Sequence, residues 1–116
     1  MQRATEPSPE VENAVLQWEE GYRRLQDARS EPPLYRALAR AVVAIQGELR
    51  KRLGSAFSVS ELASLYREST DWTLDLAMRR IPEDARRWDP GVAADAAFYL
   101  YMREAADFAG GRARYP

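Results

Sequence analysis

The stretch that most constrains this chain is DPGVAADAAFYLYMREAADFAGG, residues 89–111. Asp89 followed by Pro90 is a helix start. The carboxylate accepts from backbone N–H groups that lack a helical partner, and proline is already held at a helical φ. Gly110 and Gly111 form the matching stop, because glycine enters the left-handed conformation that closes a helix. At the helical period, Ala94, Ala97, Phe98, Tyr101, Ala105 and Phe108 share one face. Val92, Ala96, Tyr99, Leu100, Met102 and Ala106 cover much of the opposite side, interrupted by Asp95, Arg103 and Asp107. A helix that is apolar nearly all round has to be surrounded, by its own domain or by a partner. The remaining sequence must therefore supply cover for residues 90–109.

At 116 residues the chain is one domain by length, able to bury roughly two thirds of its unfolded surface. Three earlier segments offer apolar faces. Ser8-Pro9-Glu10 opens a first helix over 9–29, whose Val11, Val15, Trp18, Tyr22 and Leu25 make a narrow, seam-like stripe. Leu16 lies off that stripe. Gly21 inside the helix costs about 1 kcal/mol relative to alanine, which points to close approach by another helix, with a local break as the alternative. Pro32-Pro33 breaks the chain, and a second helix over 33–53 presents Leu34, Leu38, Ala41, Val42, Ile45 and Leu49. The short connector predicts an antiparallel hairpin of these two helices. Residues 1–31 carry seven acids and four bases, whereas residues 32–58 carry one acid and five bases, so the hairpin pairs opposite charges.

Ser58-Val59-Ser60-Glu61 is a capping box. Ser69-Thr70-Asp71 beyond it resembles a second helix start. However, Leu62, Leu65, Tyr66, Trp72, Leu76 and Ala77 keep one angular phase across it, which predicts a single helix over 59–80, bent at most near Ser69. Ser69 and Thr73 fall inside the apolar arc, where their hydroxyls are expected to bond back to the backbone. Pro82 ends this helix, and Trp88 is expected to fold onto the bundle. The expected fold is all-α: a small antiparallel bundle of four main helices (9–29, 33–53, 59–80, 90–109). It forms a single domain over 9–110, between a flexible N-terminal arm (1–8) and a C-terminal tail (111–116).

Chemistry is constrained mainly by what the composition lacks. The chain has no cysteine and no histidine, which removes disulfides, thiolate metal sites and the commonest general base. Glu68, Asp71 and Asp75 share a helix face, but Arg67 and Arg79 stand four residues from Asp71 and Asp75. A solvated face laced with ion pairs accounts for all five. No catalytic residue, cofactor or metal is therefore expected. No apolar run reaches the length of a membrane span, and MQRATEPSPE lacks the core of a signal peptide, so a cytoplasmic protein without a membrane partner is expected. Sixteen arginines against one lysine fit a GC-rich bacterial genome.

Two functions remain. The first is a non-enzymatic protein–protein interaction or oligomerisation module. Its interface is expected on Tyr99, Met102 and Ala106 of the last helix and on Trp18 and Tyr22 of the first, the partner being another protein or a second copy. The alternative is a DNA-binding regulator that uses residues 58–80 as a degenerate helix-turn-helix, with Arg36, Arg40, Arg50 and Lys51 on phosphates. Net charge −1 and the acidic start of DWTLDLAMRR both count against it.

Overall fold

The structure, a computed structural model, describes residues 9–54, 57–80 and 91–108; of residues 70, 80 and 105–108 it describes the backbone only. Helix α1 spans Pro9–Asp27, with Glu10 and Glu12 in its first turn, where the macrodipole favours negative charge. A 3-10 turn over Ala28–Ser30 follows, closed by the Glu31 N–H donating to the Ala28 carbonyl at 2.9 Å. Helix α2 spans Pro32–Leu53, prolines filling its first positions where no N–H partner is needed. It stops at Gly54, whose φ of 68° suits glycine and whose N–H bonds the Arg50 carbonyl. Helix α3, Val59–Glu68, starts on the expected capping box: Ser58 Oγ accepts from the Glu61 N–H at 3.1 Å, and Glu61 Oε1 accepts from the Ser58 N–H at 2.8 Å. Helices α4 (Thr70–Arg80) and α5 (Gly91–Phe108) complete the described chain. The starts and stops expected at Asp89-Pro90 and Gly110-Gly111, and the position of Trp88, lie outside the described residues.

The fold is all-α, as expected, but the described residues form five α-helices rather than the expected four. Residues 59–80 are not one helix. At Ser69 (φ −106°, ψ 3°) the ladder tightens: its N–H reaches back three residues to the Tyr66 carbonyl at 3.3 Å. The Ser69 hydroxyl donates to the same carbonyl at 3.0 Å, and the Thr73 hydroxyl donates to the Ser69 carbonyl at 3.0 Å. Both side chains are buried, and both bond back to the backbone as expected. The apolar phase survives because the interruption is a single residue with nearly helical angles. Continuous phase therefore did not imply a continuous helix. The break also removes the i,i+4 geometry between Arg67 and Asp71. Arg67 pairs instead with Glu10 of α1 at 3.2 Å.

Helix α5 is the axis of the molecule. Each of α1, α2, α3 and α4 packs against it, α1 most extensively. Trp18, Leu38, Ile45, Leu49, Leu62 and Phe98 are fully buried around it. The expected hairpin is accordingly opened up. Helices α1 and α2 join through the 3-10 turn, but each packs chiefly on α5 and not extensively on the other. Gly21 explains the intimacy of the α1–α5 contact. A Cβ there would collide with the Asp95 Cβ and stand 3.2 Å from the Ala96 nitrogen, so only glycine admits the α5 backbone. Among the described residues no helix is long and apolar enough to cross a membrane.

Candidate functional site

Of the residues expected at a partner interface, Trp18 and Met102 are buried within the chain, and Tyr22 and Tyr99 are half-buried. Trp18 is fully buried, its ring 5.6 Å from Tyr66 in an edge-on arrangement and 5.5 Å from Phe98. Met102 is 8% exposed. Tyr22 and Tyr99 are half-buried against one another, ring centroids 5.0 Å apart. Ala106 lies on α5, with its side chain outside the described residues. The face of α5 through Tyr99 and Met102 thus receives α1. Asp95, which interrupts that apolar surface, accepts a hydrogen bond from the Tyr66 hydroxyl at 2.6 Å. The indole N–H of Trp18 has no hydrogen-bond acceptor among the described residues.

Where α1 and α2 diverge, the C-terminal half of α5 floors a cleft of about 310 Å³ lined by Tyr22, Gln46, Leu100, Arg103 and Glu104. Its charges are engaged: Arg103 lies over the Tyr99 ring, and Glu104 takes the Arg50 guanidinium at 3.2 Å. Beneath it, Tyr101 stacks on Phe57 and donates to the Gly54 carbonyl. Burial pushes the Tyr101 phenol above its ordinary value of 10.0; Arg50 pulls it back and Glu104 adds to the rise.

The acidic candidates Glu68, Asp71 and Asp75 are exposed, and Asp75 is spanned by Arg79 at 2.7 Å. Among the described residues no group of three metal-ligating side chains converges. The basic ridge divides. Arg50 is taken by Glu104, Lys51 stands 4.0 Å from Glu48, and Arg52 bonds Glu48 at 3.2 Å while lying over Trp72 at 4.6 Å. Arg36 and Arg40 are exposed and have no ion-pair partner among the described residues. The helix-turn-helix geometry is absent from 58–80. A single residue, Ser69, joins α3 to α4 where that motif needs a turn of three or four.

The large apolar side chains left exposed among the described residues are Met78 on α4 and, more fully, one each on the outer faces of α1 and α2. Leu16 is 62% exposed and Val43 is 66% exposed. On α1 the helical neighbours of Leu16 at three and four residues are Glu12, Asn13, Glu19 and Glu20. On α2 the corresponding neighbours of Val43 are Ala39, Arg40, Gln46 and Gly47, with Arg36 seven residues back on the same side. A shallow depression there is lined by Ala39, Arg40, Val43 and Ala44. Val43 is absent from the sequence-based interface although its angular phase, between Arg36 and Gly47, could have found it. Comparison of the chain with family models, with curated proteins and with solved structures finds no match.

Proposed function

We propose that this chain is a non-enzymatic helical interaction module, and that its contacts are made by the outer faces of α1 and α2. One observation carries the reading. A core closed around α5 coexists with exposed large apolar side chains, of which the two most exposed, Leu16 and Val43, each stand at the centre of an exposed helical face, while Met78 on α4 is less exposed. A scattered surface leucine or valine needs no explanation by itself. Here the charged residues one turn from Leu16 are acidic, with Arg23 a turn further on and paired to Glu20, and those beside Val43 are basic; an interface that is apolar at its centre and charged at its rim has this form. The expected partner is a protein helix of opposite charge.

The acids on α3 and α4 supply little for catalysis. They are exposed, one is paired, and none shows the enclosure that tunes a carboxylate for acid–base work. The test is capture and native mass spectrometry of the wild-type chain beside Leu16→Glu and Val43→Glu variants. A partner, or self-association, held by the wild type and lost in either variant is expected. A strict monomer that retains nothing through either side chain overturns the reading. The DNA-binding alternative rests on Arg36 and Arg40 alone, and no mobility shift at low salt removes it.

A further inference from the structure

We infer that the occupant of the α2 outer face is the α1 outer face of a second copy of this chain, giving head-to-tail assembly. The inference rests on the interaction reading above and names its partner.

Two independent observations point there. The first is Gly47, in the interior of the 22-residue helix α2. Glycine at such a position costs about 1 kcal/mol relative to alanine. At Gly21 the reason is visible, because α5 occupies the space a side chain would need. At Gly47 a Cβ would meet nothing within 4 Å among the described residues, so packing among them gives no reason for it. Gly47 lies one turn from Val43 and shares its outward direction with Arg36 and Arg40. With Arg40, Val43 and Ala44 it outlines a four-residue hole (i, i+3, i+4, i+7) of the kind that takes a leucine knob from a facing helix. Small residues in that hole let the facing backbone come close.

The second observation is charge complementarity between unpaired groups. Glu12 and Glu19, beside Leu16, have no ion-pair partner among the described residues, and neither do Arg36 and Arg40 beside Val43. The chain therefore carries an apolar knob in an acidic frame and an apolar hole in a basic frame. Within one copy these do not meet, since both faces point outward while the inner faces of α1 and α2 pack on α5. Between copies they can, and an unlike pair of surfaces gives a heterologous contact that closes a ring or extends.

Sedimentation equilibrium at low salt tests this with two charge-reversed chains, Arg36→Glu/Arg40→Glu and Glu12→Arg/Glu19→Arg. The wild type is expected to gain mass with concentration, and to lose that gain as salt shortens the screening length from about 10 Å at 0.1 M to about 3 Å at 1 M. Each reversed chain is expected to remain a monomer. Mixed together they should regain association, because the acidic faces of one chain meet basic faces of the other at the native contact and at the doubly reversed one. A Gly47→Gln variant separates folding from assembly: it should melt at a higher temperature than the wild type yet associate about tenfold or more weakly, a change of about 1.4 kcal/mol. A wild type that stays monomeric at every concentration overturns the inference, even if Val43 retains a foreign protein and the interaction reading survives. Reversed chains that assemble like the wild type, or a mixture that stays monomeric, overturn it equally.

Discussion

Gly21 and Gly47 are the same residue in similar helical settings, and the structure gives them opposite surroundings. At Gly21 the α5 backbone fills the place of the missing side chain; at Gly47 that place is open among the described residues. Gly21→Ala is therefore expected to destabilise the fold by about 1–3 kcal/mol, the overpacking cost outweighing the gain in helix propensity. Urea unfolding measures it, and an unchanged or raised midpoint contradicts the close packing of α1 on α5. Tyr101 gives a pH-dependent test. Its phenol is raised above 10.0, chiefly by burial, so the folded state favours the protonated form. That stabilisation is complete below pH 10.0 and is lost as pH rises through the higher folded-state value. In urea unfolding at increasing alkaline pH, the wild type should lose stability more steeply than Tyr101→Phe. At this scale the sequence was informative about packing: the helix-interior position of Gly21 signalled close approach or a break, and the unbroken α1 packed on Asp95 shows the first. It was not informative about which tyrosine would be perturbed, because that depends on the meeting of Phe57, Gly54 and Arg50 around one ring.

At the scale of elements, local chemistry was legible wherever it is carried by contiguous residues. The capping box at Ser58 and Glu61 appears with both of its hydrogen bonds. Ser58→Ala is expected to lower stability by about 0.5–2 kcal/mol, read as a fall in the denaturation midpoint with an unchanged slope. The break at Ser69 was not legible, for a physical reason. One residue with ψ near zero tightens the ladder without rotating the side chains out of phase, so periodicity is blind to it. The same break redirects Arg67 from Asp71 to Glu10, turning an expected local ion pair into a tie between α3 and α1. The relation of α1 to α2 failed similarly. A short connector predicts neighbours in sequence, and the apolar surface of α5 then took the chief packing of both.

For the whole molecule, the all-round apolar character of α5 dictated the architecture, and the question it raised was what covers each side. The structure answers with α1 on the Tyr99 and Met102 face and with α2, α3 and α4 around the rest. Trp18 and Met102 are thereby used up in folding, Tyr22 and Tyr99 are half-buried against one another, and the proposed association falls to the outer faces carrying Leu16 and Val43. Those faces were hard to see in the sequence because each holds one apolar side chain among charges, too little for a periodic signal. Hydrogen exchange read by mass spectrometry over a concentration series tests the central claim most directly. The amides of 92–102 in α5 should exchange slowest at every concentration and should not respond to it. Protection should instead grow with concentration in α1 over 12–20 and in α2 over 36–47. Concentration-dependent protection in α5, with 12–20 and 36–47 unchanged, would place α5 at the interface between chains and contradict the account.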